Sequence, residues 1–110
     1  MSKQQLEKLS AAAEEAHANI QKDFADINPV IGISTGMRKV GIPADAMTID
    51  CLKTDKRIII ISHDRQPESI QYQFSYKAQD PSESFEQLEM KNLTSKILYD
   101  WMKDYFSKVN

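Results

Sequence analysis

One segment constrains the fold more than any other part of the sequence: Arg57–Lys77, which reads RIIIISHDRQPESIQYQFSYK. In its second half, apolar and polar residues alternate, as in a strand with one buried face. The apolar positions of that half are Ile70, Tyr72, Phe74 and Tyr76. The first half contains four consecutive isoleucines, Ile58–Ile61, so both faces of that strand are apolar. The segment predicts two neighbouring strands, and the first of them has a second apolar face that needs cover.

The identity of whatever covers this second isoleucine face affects which partners we expect the protein to have. In an antiparallel meander, the face would carry two isoleucines beside Gln71, Gln73 and Ser75. Leaving two isoleucines exposed to water would forfeit about 1.5–3 kcal/mol each. Three covers are open: the N-terminal helices, a second subunit, or a bound ligand. We expect a protein cover, formed by the N-terminal helices within one chain or across a dimer.

The N-terminal part of the sequence predicts two helices. Residues 3–27 carry apolar side chains at spacings of three and four, which places them along one stripe of a helix. The stripe consists of Leu6, Leu9, Ala13, Ala16, Ile20, Phe24 and Ile27. A shorter helix is predicted over Pro29–Val40, with Asn28 as its N-cap and Gly41 after its end.

The alanines at the centre of the first stripe favour the close approach of another helix. They would bury little area against a sheet, whereas a paired helix supplies the missing bulk. We therefore predict a homodimer, with another protein as the alternative partner. The predicted self-association surface is formed by Leu6, Leu9, Ala13, Ala16, Ile20 and Phe24.

Strands follow the two predicted helices. Met47–Lys53 alternates, with Ile49 and Cys51 on one side. A polar turn at Thr54–Lys56 joins this strand to the isoleucine strand as a hairpin. The pattern leaves open whether Phe85–Met90 forms a fourth strand.

The C-terminal region predicts an amphipathic helix, because apolar residues recur there every four positions. These residues are Leu93, Ile97, Trp101, Tyr105 and Val109, and Leu98, Met102 and Phe106 flank them to give a wide apolar face. The Trp101–Tyr105 stripe has the length and bulk to cover the aromatic face of the sheet. The prediction is a single α+β domain over residues 1–110 with two N-terminal helices, an antiparallel three- to four-stranded meander and a C-terminal amphipathic helix packed on one sheet face.

Charge and composition narrow the classes of function. Fourteen basic and sixteen acidic residues are interleaved and give a formal charge of −2. Because this balance lacks the basic stripe of a nucleic-acid-binding module, we expect no nucleic-acid partner. The longest apolar run is four residues, far short of the roughly 20 that span a bilayer. The sequence opens with no signal-peptide pattern, and Cys51 has no second cysteine to pair with, so we predict a cytoplasmic protein without a membrane partner.

Two sets of residues are candidates for catalysis. His63, Asp64 and Arg65 combine an imidazole, a carboxylate and a guanidinium at the end of a strand, which suits acid–base work on an anionic substrate. The structural alternative is an ordinary polar turn, in which adjacent side chains point apart. Cys51 can act as a nucleophile only with a base such as His63 or His17 nearby, and its place in an alternating strand favours burial as a small apolar residue.

Arg38 and Lys39 end the segment GISTGMRK, whose glycines and hydroxyls make it a candidate anion-binding site. The segment lacks the Gly-Lys-Ser/Thr end of a phosphate-binding loop, and its glycines, one helical turn apart, also suit a contact between helices. His17 has no second histidine or cysteine at metal-ligand spacing. We therefore predict no metal and no cofactor.

The sequence indicates a class of function without naming an activity. We expect a small cytoplasmic protein that acts by protein–protein contact, as a non-enzymatic interaction or accessory module. The alternative is a ligand-binding protein or an enzyme that uses His63, Asp64 and Arg65 near a pocket at the edge of the sheet.

Overall fold

A computed structural model of the chain describes residues 3–78 and 84–107. The elements are α1 Lys3–Asp23, β1 Pro29–Ser34, α2 Gly36–Lys39, β2 Ala44–Cys51, β3 Lys56–His63, β4 Ser69–Tyr76, β5 Glu86–Glu89, a 3₁₀ turn at Met90–Asn92, and α3 Ser95–Phe106. The predicted α+β class and the antiparallel sheet are confirmed. Val109, which the sequence places in the last helix, lies outside the described residues.

The strands form one five-stranded antiparallel sheet in chain order, β1-β2-β3-β4-β5. The two faces predicted for the isoleucine strand are confirmed, because Ile58 lies opposite Phe74 on one face. Ile59 lies opposite Gln73 on the other face. The segment Phe85–Met90, left open by its pattern, contains the short strand β5. The sheet thus has more strands than the three or four that we expected.

Both long helices, α1 and α3, pack on the same face of the sheet. Their buried residues form one core with the inward-facing residues of the strands. This core includes Leu9, Ala13, Ala16 and Ile20 from α1, Met47, Ile49, Ile58, Ile60 and Ile70 from the sheet, and Leu98, Met102 and Phe106 from α3. The prediction that the N-terminal helix covers the second isoleucine face within one chain is therefore wrong. Small alanine side chains let α1 approach the sheet and α3 closely, so that both helices share one face.

The second predicted helix is also wrong over most of its length, since Pro29–Ser34 forms the edge strand β1. Half of its six residues are β-branched, which favours a strand. These are Val30, Ile31 and Ile33. Gly32 faces Thr48 closely, because an added Cβ would lie 3.3 Å from the Thr48 Oγ1. Only Gly36–Lys39 is helical, and α1 ends at Asp23 rather than at residue 27.

The most buried residues of α3 are the predicted flanking ones rather than those at the centre of the predicted stripe. The fully buried residues of α3 are Leu98, Met102 and Phe106, each at most 3% exposed. Trp101 and Tyr105 are half-buried at the flank of the sheet. Trp101 stacks on Tyr72 there, with ring centroids 4.4 Å apart. The aromatic contacts that we expected therefore form beside the core rather than at its centre.

The second isoleucine face has no helix over it in the part of the chain that the structure describes. Ile59 is nevertheless only 7% exposed, and Ile61 is half-buried. Long polar side chains lie on the same face: Arg57 donates hydrogen bonds of 2.6 and 2.9 Å to the two carboxylate oxygens of Asp50, and Gln73 is 9% exposed. Polar residues, rather than a described helix, therefore lie beside the isoleucines on this face.

Candidate functional site

The predicted catalytic residues engage in local structural contacts. His63 ends β3, and its Nδ1 accepts a hydrogen bond of 3.1 Å from the backbone N–H of Arg65. The Asp64 carboxylate accepts two hydrogen bonds from Arg38, at 2.8 and 2.9 Å. Arg65 is exposed. The enzyme alternative, which uses His63, Asp64 and Arg65 on a common substrate, stays a prediction.

Arg38, in α2, forms a double ion pair with Asp45 of β2 and with Asp64, which directly follows β3. Besides its bonds to Asp64, its Nε and Nη2 donate to the carboxylate of Asp45 at 2.8 and 2.9 Å. Asp45 is 5% exposed, and no sequence pattern singles it out. Because these contacts occupy most of the guanidinium donors, an anion would have to compete with two carboxylates for Arg38. Lys39 is exposed. Of the two residues predicted to bind an anion, only Lys39 therefore has a positive charge that no carboxylate occupies.

This ion pair predicts a measurable shift in the titration of Asp64. Hydrogen bonds from Arg38 lower the pKa of Asp64 from its ordinary 3.8 to about 2. The contribution of the pair to stability is therefore complete above the ordinary value and is lost as pH falls through about 2. We expect carboxyl NMR titration to give this low pKa in the native protein and a clearly higher value in Arg38→Gln. The neighbouring Lys39→Gln serves as the control and should leave the pKa low, whereas an ordinary Asp64 pKa in the native protein would contradict the ion pair.

A cleft of about 770 Å³ lies where α1 and α3 end. Its walls include Phe24, Cys51, Lys53 and Phe106. Cys51 is 2% exposed and belongs to the apolar core. The cleft also borders Ser107, the last residue of the described part, and we base no site on it.

The free edge of β1 is the most accessible binding feature of the sheet backbone. The Asp64 N–H donates a hydrogen bond of 2.8 Å to the Pro43 carbonyl. Pro43 and Asp64 come one position beyond the Ala44–His63 pair of β2 and β3, so they mark a hydrogen-bonded position of this ladder. Hydrogen-bonded and non-hydrogen-bonded pairs alternate along an antiparallel ladder, so the odd-numbered residues of β2 bond to β3 and the even-numbered ones to β1. Ile31 and Ile33 lie opposite odd-numbered residues of β2. Their N–H and C=O groups therefore point outward, away from the sheet.

These outward groups have no hydrogen-bond partner within residues 3–78 and 84–107. The other outward position, Pro29, has no N–H, and its carbonyl accepts a hydrogen bond of 2.9 Å from His17 Nε2. Two donors and two acceptors, from Ile31 and Ile33, remain open to a further strand.

The two edges of the sheet differ in their protection. Natural edge strands are blocked by charged residues, bulges or short length. β5 is four residues long and carries Glu86 and Glu89. β1 has no charged residue, and its register runs without a bulge from the Pro29–Cys51 pair to the Ser34–Ala46 pair. Its Val30 and Ile33 side chains are each 47% exposed. The β1 edge is therefore open to pairing, whereas the β5 edge is guarded.

A groove of about 410 Å³ runs between the β1 edge and α1. Its lining residues are Leu6, Glu7, Ser10, Ala11, Glu14 and Ile33. The floor is apolar or small, and the two acidic residues are exposed. Neither Glu7 nor Glu14 forms an ion pair with another described residue. The groove thus combines an open strand edge, an apolar floor and two uncompensated negative charges.

Most of the predicted self-association stripe is used inside the chain. Leu9 is 1% exposed, and Ala13, Ala16 and Ile20 are fully buried. Leu6 is half-buried in the groove, and Phe24 is 37% exposed at the end of α1. The homodimer stays a prediction, and in the folded chain only the ends of the stripe are open to a partner.

The β1 edge is not predicted from the sequence, because the helical spacing over Pro29–Val40 favours a helix there. A signal was present: three β-branched residues follow Pro29 within five positions, and no charge interrupts them. The contact of Asp45 with Arg38 is not predicted from the sequence either. The two residues are seven positions apart, and outside a helix this spacing does not indicate that side chains meet.

None of the helices in residues 3–78 and 84–107 is long and apolar enough to cross a bilayer. The same residues hold no cluster of three or more His, Cys, Asp or Glu side chains arranged for a metal ion. Comparison with known proteins gave no significant match to a family model, a curated protein or a solved structure.

Proposed function

We propose that this protein is a non-enzymatic interaction module that binds an extended segment of a partner protein as a sixth strand beside β1. The open backbone groups of Ile31 and Ile33 carry the proposal. An extended peptide that pairs with a free strand edge gains main-chain hydrogen bonds, and side-chain pockets beside the edge give specificity. The groove between β1 and α1 is such a pocket.

The contrast between the two edges supports binding at β1. A long, uncharged edge is an aggregation hazard, and an interaction surface is one reason for a chain to carry it. The guarded β5 edge shows that this same sheet has the usual protection at its other side. The engaged state of Arg38, Asp45 and Asp64 adds no support for the enzyme alternative.

The substitution Ile33→Pro tests this function. Proline at residue 33 removes an outward N–H, and it leaves the bonds between β1 and β2 in place because residue 33 does not donate to β2. Peptides selected from a random display library on the native protein are expected to lose at least about tenfold in affinity for Ile33→Pro. Isothermal titration calorimetry measures the change.

Ile33→Val is the matched control, because it keeps the N–H and a β-branched apolar side chain. We expect its affinity for the same peptides to stay within about twofold of the native value. Circular dichroism of both variants checks that the fold is kept. Selected peptides that bind Ile33→Pro as tightly as the native protein would place the binding surface elsewhere.

A further inference from the structure

We infer, on the basis of the proposed function, that the strand bound at β1 carries an apolar residue flanked two positions away on each side by Lys or Arg. This pattern specifies the charge of the partner segment and the spacing of the residues that are recognised. The groove determines the pattern, in addition to the open edge of β1.

The side chains of a strand added beside β1 alternate between the two faces of the sheet. Those on the helix side enter the groove, because Ile33 lies on that side and lines it together with α1. A central apolar side chain would contact Leu6, Ala11 and Ile33 there. This contact would remove the half-exposed Ile33 side chain from water.

The next side chains on the same face meet the two carboxylates of the groove. Glu7 and Glu14 are seven residues apart on α1, which places them about 10 Å apart along the helix. Residues at two positions before and two positions after the central one are about 13 Å apart along a strand. The flexible stems of Lys and Arg span the difference of a few ångströms, so one basic residue can reach each glutamate.

No described residue forms an ion pair with Glu7 or Glu14 at this rim. Lys8, on the same helix, donates to the Met90 carbonyl at 2.8 Å. A second copy would offer its own β1, whose sequence PVIGIS contains no basic residue. Two copies paired edge to edge would also bring two acidic rims together. The charges therefore favour a foreign basic segment over a second copy of this chain.

Four synthetic peptides of about nine residues test the inference by calorimetry. Three share a central isoleucine and differ only at the two flanking positions, which are both Lys, both Gln or both Glu. The fourth peptide matches residues 28–36 of this chain. We expect the lysine peptide to bind about tenfold more tightly than the glutamine peptide, and the glutamate peptide to bind more weakly still.

The double variant Glu7→Gln/Glu14→Gln is expected to reduce the lysine preference to about twofold and to leave the affinity for the glutamine peptide unchanged. Glu15→Gln, an exposed neighbour outside the groove, is the matched control and should keep the preference. Added salt should weaken binding of the lysine peptide selectively.

Different outcomes of these experiments test the basic pattern of the partner and the strand-binding function separately. Equal affinities for the lysine and glutamine peptides, both lost in Ile33→Pro, would overturn the basic pattern and leave the strand-binding function standing. Peptide binding that Ile33→Pro does not affect would overturn both. Tighter binding of the peptide from this chain, with a concentration-dependent doubling of mass in light scattering, would replace the foreign segment by a second copy.

Discussion

Replacing Leu98 by alanine is expected to lower the free energy of unfolding by about 2–5 kcal/mol, a large part of the stability of a domain of this size. Leu98 is fully buried where α3 meets α1 and the sheet. The change removes apolar contacts and leaves a cavity that well-packed neighbours on three sides cannot fill. Urea denaturation followed by circular dichroism measures the loss.

Trp101→Ala is the informative comparison, because the sequence pattern placed Trp101 in the contact with the sheet. Trp101 is half-buried at the flank, where its ring also lies edge-on to Phe74 at 5.7 Å between centroids. Solvent and the neighbouring rings can fill the space that it leaves, so we expect a smaller loss than for Leu98→Ala. A clearly larger loss for Trp101→Ala would mean that α3 is rotated by about 100°, one residue, from the orientation described.

Replacing Lys56 by alanine is expected to cost about 2–4 kcal/mol, an unusual effect for a lysine at the start of a strand. Lys56 is 1% exposed, and its Nζ donates to the Tyr105 carbonyl at 2.9 Å. The ammonium also lies 5.0 Å from the centroid of the Tyr105 ring. A cation at the C-terminal end of a helix satisfies carbonyls that have no partner within the helix. The same denaturation experiment measures the change.

Lys56→Met separates the buried stem from the charge. Methionine keeps an unbranched apolar stem of similar length but leaves the Tyr105 carbonyl without this donor, so we expect a loss of about 1–2 kcal/mol. If Lys56→Ala were as stable as the native protein, the contact between the start of β3 and the end of α3 would be absent in solution.

The central strands could be predicted because their periodicity is a property of the chain itself. Because apolar and polar residues alternate in Ser69–Tyr76, only one face of that strand is apolar. The short polar turns indicate that neighbouring strands pair with each other. The register then follows, so that Ile60 lies opposite Tyr72 and Ile61 lies opposite Gln71. These features need no information from distant parts of the sequence.

The placement of the N-terminal region could not be predicted in this way. The spacing of Val30, Ile33 and Met37 fits a helix, yet Val30 and Ile33 belong to β1, because pairing with β2 overrides this pattern. The side of the sheet on which α1 packs depends on how closely Ala13 and Ala16 let it approach α3, which is a matter of three-dimensional shape.

Only separate parts of the candidate site could be predicted from the sequence. Arg38 and Asp64 were singled out separately, as parts of an anion site and of a catalytic cluster, and the structure joins them in one ion pair. The β1 edge depends on the order of strands in the sheet, and the groove depends on the position of α1 beside Ile33. Both arise only after the helices and strands have packed together.

Amide hydrogen exchange of β1, resolved by NMR, tests the central claim most directly. We expect the amides of Gly32 and Ser34, which donate to β2, to exchange slowly in the free protein, and those of Ile31 and Ile33 to exchange rapidly. Addition of the lysine peptide should slow Ile31 and Ile33 by at least about tenfold and leave Gly32 and Ser34 nearly unchanged. Slow exchange of Ile31 and Ile33 in the free monomer, or no change on binding of the peptide, would contradict an open, partner-binding edge at β1.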